Sequence, residues 1–251
     1  MKPQQRRTRV LDIIEREGEV TVDTLASDFG VSAETIRRDL AVLAEEGSVQ
    51  KVHGGARRMR LHAEGTFDER MDEAAAGKNE IARKLAQIVK PGDTCLIDTG
   101  STTLACAHAL TGTTGLTIVT NSVRIANVMA RGPGNARVHL IGGLYAPDND
   151  ESVGADAIEQ IARFRADYAI VGVAALDMSA GAYAADFDEA SIARAMCSNA
   201  RKIVVVAHVD KFGRQAAHRI CRLDEIDILV CDGMLETQTR LALQSAAVTV
   251  Q

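Results

Sequence analysis

The sequence predicts an α/β protein with two domains: a small helical domain ending in a β-ribbon, and a larger domain built on a mostly parallel sheet. Three observations support this prediction. Helical apolar periodicity dominates roughly the first 60 of 251 residues, short apolar runs alternate with helical segments from residue 94 onward, and a polar, Ala-rich stretch separates the two patterns. We predict a first domain at residues 1–57, a linker and the start of a connecting helix at 58–77, and a second domain at 78–251.

The first domain is predicted to contain three helices followed by a ribbon. One helix covers QQRRTRVLDIIERE and ends at Gly18, and the next covers TVDTLASDF and ends at Gly30. A third begins at the N-cap residue Ser32 and runs to about Glu46, with apolar residues spaced i, i+4 and i+7 at Ile36, Leu40 and Leu43. The segment SVQKVHGGARR then alternates like a β-ribbon that turns near Gly54. This order of elements is the winged helix-turn-helix layout.

Basic residues are clustered in this first domain, although the whole chain has a formal net charge of −5. Residues 1–60 hold 11 Lys or Arg and 10 Asp or Glu, a net charge of +1, which leaves −6 for the rest. In this layout the clusters predict double-stranded DNA as the partner of the N-terminal end. The predicted DNA contacts lie on the first helix, the third helix and the ribbon: Arg6, Arg7, Ser32, Thr35, Arg37, Arg38, Lys51, His53 and Arg57. The alternative is a three-helix protein-interaction module with incidental arginines.

The N-terminal segment RRTRVLDIIEREGEVTVDTLASDFGVSAETIRRDLAVLAEEGSVQKVHGGA resembles the DNA-binding domain of DeoR-type bacterial transcriptional regulators. The stretches VSAETIRRDL and KVHGGA carry the most specific part of this resemblance. It implies a cytoplasmic regulator that binds operator DNA and acts as a repressor.

Six apolar runs in the second domain predict strands, at residues 94–99, 116–121, 136–143, 166–174, 201–208 and 226–232. Helical segments lie between them, near residues 102–110, 122–130, 154–164, 188–199 and 235–244, and an earlier helix runs from about Gly65 toward Val89. Apolar strands with helical crossovers predict a mostly parallel sheet that helices cover on both faces.

Ligands of such sheets bind at the carboxyl ends of the strands. The first strand is followed by Gly100 and three hydroxyl residues at a predicted helix N-terminus, a pattern typical of phosphate binding. Asn121, Gly142-Gly143 and Lys211 follow other strands. Each turn alone is also explained as an ordinary capped β-to-α connection, but together they favour a small anionic ligand.

The second domain also resembles the DeoR-type effector domain, through KNEIARKLAQIVKPGDTCLIDTGSTT, IVTNS, VHLIGG, FRADYAIVGVAALD, DKFGR and ICRLDEIDILVCD. The resemblance therefore covers nearly the whole chain and implies a Rossmann-like sensor domain, related to ribose-phosphate isomerases, that binds a phosphorylated sugar or polyol. It implies these effector-binding residues: Asp98, Gly100, Ser101, Thr102, Thr103, Asn121, Gly143, Glu189 and Lys211. GAYAADFDEASIARAM is most similar to the glycerol-3-phosphate regulon repressor branch, which implies glycerol 3-phosphate or a sugar phosphate as effector. The chain departs from common relatives at Ala193 and His208-Val209-Asp210.

The alternative function is a sugar-phosphate isomerase with an accessory DNA-binding domain. The D-G-A-D-E run and Lys-Gly-rich segment of the related isomerases are absent from the sequence, so we predict no catalytic residues and no enzyme activity. The six His and five Cys lack metal-ligand spacing, so we predict no metal and no cofactor, and the Cys are expected to be reduced thiols. No apolar run approaches the ~20 residues of a membrane span. One winged helix reads few base pairs, so a homo-oligomer, dimer or tetramer, is expected.

Overall fold

The computed structural model describes residues 3–17, 19–45, 49–52, 54–58 and 65–251. The chain forms two compact units, Met1–Ala63 and Glu64–Gln251. Within the described residues, no helix is long and apolar enough to cross a membrane.

The first unit contains three helices and a three-stranded sheet. The helices are α1 (Pro3–Glu17), α2 (Val22–Phe29) and α3 (Ala33–Glu45), and the strands are β1 (Glu19–Thr21), β2 (Val49–Val52) and β3 (Gly55–Arg58). The antiparallel sheet has the order β1-β3-β2. The predicted helices and wing are confirmed, whereas β1 was not predicted: its three residues are too few to show an alternating pattern.

Among the described residues of this unit, ten buried apolar side chains form a core: Val10, Ile14, Val20, Val22, Leu25, Ile36, Leu40, Leu43, Val49 and Ala56. They include the three predicted apolar positions of α3, Ile36, Leu40 and Leu43. The wing packs closely on β1, since a Cβ at Gly55 would overlap the carbonyl oxygen of Val20. Only glycine fits there, which explains one residue of the KVHGGA motif.

The second unit is built on a seven-stranded sheet of order β15-β14-β12-β9-β4-β5-β6. Every pairing within it is parallel. The strands are β4 (Thr94–Ile97), β5 (Thr117–Thr120), β6 (Arg137–Leu140), β9 (Ala166–Gly172), β12 (Ala200–Ala207), β14 (Ile228–Cys231) and β15 (Thr249–Val250). The six predicted strands are confirmed, and the two-residue β15 adds an edge. The two apolar clusters of the unit draw on residues from both faces of these strands.

Five predicted helices between the strands are confirmed. They are α6 (Ser101–Leu110), α7 (Val123–Ala130), α8 (Ala155–Ile161), α9 (Phe187–Ser198) and α10 (Thr237–Ser245). Two small antiparallel sheets were not predicted. One pairs β7 (Leu144–Ala146) with β8 (Glu151–Val153), and the other has the order β10 (Ala175–Asp177), β11 (Gly181–Ala184), β13 (His218–Cys221).

The predicted connecting helix is two helices, α4 (Phe67–Asp72) and α5 (Ala75–Ile88). The prediction of one continuous helix was therefore wrong. The backbone turns at Glu73, which is extended, and at Ala74, which has a left-handed φ of +50°. That conformation costs a non-glycine residue about 1–2 kcal/mol, so the surrounding packing must hold the break in place.

Candidate functional sites

The exposed face of α3 is the candidate nucleic-acid surface. Ser32 accepts a hydrogen bond from the Thr35 backbone N–H at 3.2 Å and so caps the helix, as predicted. The Arg37 and Arg38 side chains are 62% and 81% exposed, and each lies 3.6 Å from a Glu34 oxygen. Exposed pairs of this kind contribute little to stability, which leaves both guanidinium groups available to another anion.

Arg6 does not belong to this surface, which corrects the sequence prediction. Its side chain is buried, and its Nε donates to Oδ2 of Asp39 at 2.5 Å, joining α1 to α3. A buried carboxylate needs a charged partner, and Asp39 obtains it from Arg6. Arg7, the next residue, is half-buried.

The wing carries two of the other predicted contacts. Lys51 pairs with Ala56 and lies on β2, and Arg57 lies on β3, where it pairs with Glu19 and with Gln50. His53 lies outside the described residues.

A cavity of about 280 Å³ opens where the central strands of the large sheet end. Its walls come from the segments after β4, β9 and β12 and from α4 and α5. The lining residues predicted from the sequence are Asp98, Gly100, Ser101, Thr102, Glu189 and Lys211. The structure thus brings six of the nine predicted effector residues to one cavity.

Positively charged side chains and a helix N-terminus line the cavity. Ser101 begins the ten-residue helix α6, and Thr102 follows it, so two hydroxyl groups and the helix N-terminus lie together. Four cations also line the cavity: Arg70, Lys78, Lys211 and Arg214. A helix N-terminus with hydroxyl groups and cations is suited to a phosphate or another anion.

Lys211 is held in place by the departure from common relatives noted in the sequence. His208 Nε2 lies 2.8 Å from Oδ2 of Asp232, and the Val209 N–H donates to Oδ1 of the same carboxylate at 2.9 Å. The His208 ring accepts a hydrogen bond from the Asp210 N–H at 3.3 Å. These contacts fix the single 3₁₀ turn, Val209–Lys211, that brings Lys211 to the cavity.

Carboxylates form another part of the lining. Asp98 is buried, and within the described part of the chain its Oδ1 atom has no hydrogen-bond partner. Burial raises the pKa of Asp98 well above its usual value, and the nearby Glu151 and Glu189 charges raise it further. An unsatisfied buried oxygen beside a cavity is suited to accept a hydrogen bond from a ligand hydroxyl.

Glu151 is a buried carboxylate close to Asp98. It accepts hydrogen bonds from Asn121 Nδ2 at 2.8 Å and from Asn149 Nδ2 at 3.1 Å. Burial raises the pKa of Glu151 to about 7, although both hydrogen bonds oppose the shift. Glu151 was not singled out in the sequence, because it begins the three-residue strand β8, which was not predicted.

Three predicted effector residues do not line the cavity. Thr103 is fully buried, and its hydroxyl donates to the Gly100 carbonyl at 3.0 Å. Asn121 is fully buried and bonded to Glu151, and Gly143 packs against β8, where a Cβ would overlap the Val153 carbonyl. The strand order explains why Asn121 and Gly143 lie away from the cavity. They follow β5 and β6, and both strands lie on the side of β4 away from β9 and β12.

Several lining residues were missed from the sequence. They include Arg70, Glu73, Ala74, Lys78, Thr99, Asn149, His208, Asp210 and Arg214. Arg70 and Lys78 come from helices before the sheet, and Asn149 comes from the β7–β8 turn, so the strand-end rule could not find them. Arg214 follows Lys211 in the DKFGR motif, and His208 and Asp210 are departures noted in the sequence, so these three residues did have a signal there.

Known proteins match this chain over both units. Residues 6–60 match the DeoR-like helix-turn-helix domain, and residues 73–233 match the DeoR C terminal sensor domain. The glycerol-3-phosphate regulon repressor of Escherichia coli K12 is 32% identical over 92% of each chain. The HTH-type transcriptional repressor CsqR of the same organism is 30% identical over 98% of this chain and 94% of its own.

A solved structure, ribose 5-phosphate isomerase A from Methanocaldococcus jannaschii, is similar at a TM-score of 0.40 and 14% identity. The similarity covers 55% of this chain and 54% of that one. The sequence matches extend across the DNA-binding unit and most of the cavity-bearing unit. The chain therefore belongs to the DeoR family of transcriptional regulators.

Proposed function

We propose that this regulator is a repressor whose operator binding is released by a phosphorylated sugar or polyol. The observation that carries the proposal is the cavity at the ends of β4, β9 and β12, because it combines two kinds of group. Hydroxyls, a helix N-terminus and Lys211 are suited to the phosphate, and the carboxylates of Asp98 and Glu189 are suited to ligand hydroxyl groups.

The relatives support the same class of ligand, since one is named a glycerol-3-phosphate regulon repressor and also covers 92% of this chain. Glycerol 3-phosphate has a phosphate and two hydroxyl groups, which suits a cavity lined by both cations and carboxylates. We therefore place sn-glycerol 3-phosphate first among candidate effectors and sugar phosphates second.

On the DNA side, α3 is proposed to enter the major groove with Arg37 and Arg38 toward the bases and phosphates. Ser32, Thr35 and Arg7 are proposed to assist at the backbone, together with Lys51, His53 and Arg57 of the wing segment. A homo-oligomer, a dimer or tetramer, would pair two such helices on two half-sites. We place this activity in the cytoplasm, where all five buried free thiols would stay reduced.

A thermal-shift panel tests the effector proposal. The full-length protein is heated with sn-glycerol 3-phosphate, ribose 5-phosphate, glycerol, ribose and inorganic phosphate. A true effector at 100 times its Kd adds about 2.7 kcal/mol to the unfolding free energy, whereas its unphosphorylated counterpart adds much less. No stabilisation by any phosphate ester would contradict the proposal.

We also propose that the protein is not an enzyme, with the isomerase as the alternative to be tested. Ribose 5-phosphate incubated with the protein and followed by NMR should remain unchanged. Its conversion to the ketose at a rate above a protein-free control would favour the isomerase instead.

A further inference from the structure

The short helix α4 contacts the cavity lining through Arg70, whose backbone carbonyl also accepts a hydrogen bond from the cavity residue Lys78. Arg70 lines the cavity, and its Nη2 donates to Oδ1 of Asn149. The amide nitrogen of Asn149 in turn donates to Glu189 at 2.5 Å and to Glu151 at 3.1 Å. Asn149 is only 9% exposed, so this amide connects α4 to both carboxylates in a largely dry environment.

A second anchor holds the same helix outside the cavity. The guanidinium carbon of Arg124 lies 4.4 Å from the centre of the Phe67 ring, and Phe67 is 3% exposed. Arg124 Nε donates to Oδ2 of Asp150 at 2.9 Å, and Nη1 lies 3.8 Å from Asp68. Asp150 also accepts a hydrogen bond from the Tyr145 hydroxyl. Arg124 is therefore fixed between Asp150 and α4 without lining the cavity.

The two anchors meet in adjacent residues of one turn. Asn149 binds Arg70, and Asp150 binds Arg124. The turn is also bonded to the segment after β4, because the Thr99 hydroxyl donates to the Asn149 carbonyl at 3.3 Å. It is bonded to α7 as well, because the Val123 N–H donates to the Asp150 carbonyl at 2.9 Å. Movement of this turn would therefore displace the Arg70 and Arg124 contacts together.

The helix α4 is also the first element of the second unit in chain order. Strand β3 of the wing ends at Arg58, and α4 begins at Phe67, so only residues 59–66 connect them. Thr66 and Glu69 form a capping box at the start of α4, which makes the helix a defined end for this connection.

We propose that the Asn149–Asp150 turn couples the effector cavity to α4, and through residues 59–66 to the DNA-binding unit. This inference rests on the proposed effector function. A phosphate is a stronger acceptor for a guanidinium group than a neutral carboxamide, because the hydrogen bonds are charge-assisted and can be bidentate. An effector phosphate in the cavity takes Arg70 away from Asn149, and α4 and the turn then adopt a second position. The effector thus favours one of two states, as any effector that shifts an equilibrium must.

The variant Arg124→Gln tests the coupling, because it removes the second anchor and leaves the cavity lining unchanged. Binding of full-length protein to DNA selected from a random library is measured with and without saturating sn-glycerol 3-phosphate or ribose 5-phosphate. Binding of these two probes is measured with and without that DNA. In the wild type, at least one probe weakens DNA binding about 10-fold or more, and DNA weakens that probe by the same factor.

In Arg124→Gln, we expect the affinity for that probe without DNA to stay within about 3-fold of wild type, while the coupling factor falls below about 3. Arg124→Lys retains the charge beside Asp150 but not the planar contact with Phe67. Its coupling factor, the factor by which the probe weakens DNA binding, should therefore lie between those of the wild type and Arg124→Gln. Arg163→Gln is the matched control: Arg163 pairs with Glu159 on the exposed surface of α8, and the coupling factor should be unchanged.

Hydrogen exchange provides a readout that depends on no variant. Adding the coupled probe to wild-type protein should change the exchange rates of the α4 amides, residues 67–72. Unchanged α4 exchange, or full coupling in a folded Arg124→Gln or Arg124→Lys protein, would overturn the inference and leave the effector proposal intact. A wild-type protein that responds to neither probe would instead overturn the effector proposal, and this inference with it.

Discussion

Arg6 and Asp39 form a buried ion pair that joins the first helix of the DNA-binding unit to α3, with Nε and Oδ2 2.5 Å apart. Both side chains are almost inaccessible to solvent, so neither can exchange its partner for water or DNA. The arginines of the first unit therefore differ in environment, with Arg6 buried between two helices and Arg37 and Arg38 exposed on α3, where we propose that they contact DNA.

Arg6→Ala is expected to lower the unfolding free energy of the first unit by about 3–5 kcal/mol, because it leaves the buried Asp39 carboxylate without a charged partner. Denaturant titration of the full chain, followed by hydrogen exchange of α1 and α3 amides, measures this loss. Arg9→Ala is the control, since Arg9 is exposed on the same helix and its removal should change stability by less than about 0.5 kcal/mol. Equal stability of the two variants would contradict the structural role of Arg6.

Arg37→Ala and Arg38→Ala are each expected to weaken operator binding by about 1–3 kcal/mol. Their thermal stability should be almost unchanged, because each side chain makes only an exposed pair with Glu34. Fluorescence anisotropy at several salt concentrations measures both the affinity and its salt dependence. Glu34→Gln should have the opposite effect and strengthen DNA binding, since it removes the acidic competitor; wild-type affinity in all three variants would exclude this face of α3.

Thr102 and Thr103 are neighbours with different environments, which makes them a matched pair. Thr102 lines the cavity, whereas Thr103 is fully buried and bonded to the Gly100 carbonyl. Thr102→Val should raise the effector Kd about 10-fold or more, because a hydrogen bond to a charged acceptor contributes ~1.5–3 kcal/mol. Thr103→Val should leave the effector Kd within about 3-fold while lowering the melting temperature. Isothermal calorimetry with the phosphate ester that stabilises the protein measures the effector Kd of both variants. A larger loss of affinity in Thr103→Val than in Thr102→Val would contradict the assignment of Thr102 to the phosphate site.

The buried acidic group should make stability depend on pH. The pKa of Glu151 is raised from 4.5 to about 7 in the folded protein, so the folded state binds more protons than the unfolded state between these values. The unfolding free energy should therefore fall as the pH rises from about 4.5 to about 7, by up to about 3 kcal/mol from this group. Burial raises the pKa of Asp98 as well, which adds a change in the same direction.

Glu151→Gln tests this dependence, because the amide keeps the shape of the side chain and has no charge to desolvate. Denaturant titrations at several pH values should show a flatter decline in stability than the wild type. An identical decline in both proteins would assign the pH dependence to other groups.

The sequence predicted the fold well where the signal is local. The helices of the first unit and the parallel strands of the second follow from apolar periodicity, which burial in one core enforces over many residues. The β7–β8 and β10–β11–β13 sheets were missed because their strands have only three or four residues, and because β13 pairs with β11 across a long stretch of chain. The break at Ala74 was missed because alanine is the best helix former and nothing local signals a left-handed conformation.

The sequence predicted only part of the cavity lining, because local patterns do not contain the tertiary contacts that bring the other lining residues together. Asp98, Ser101 and Thr102 follow one strand directly, so their common position depends only on chain connectivity. Asn121 and Gly143 were misplaced because strand order, which local patterns do not contain, decides which strand ends are neighbours. Arg70 and Asn149 lie about 80 residues apart in sequence and meet through tertiary contact alone.

We propose that a phosphate ester in this cavity releases the protein from DNA. The most direct measurement is the anisotropy of labelled operator DNA, titrated with full-length protein in the presence and absence of saturating sn-glycerol 3-phosphate or ribose 5-phosphate, with glycerol and ribose as controls. We predict that one phosphate ester raises the operator Kd about 10-fold or more and that neither control changes it. An operator Kd that stays the same with both esters would contradict the account.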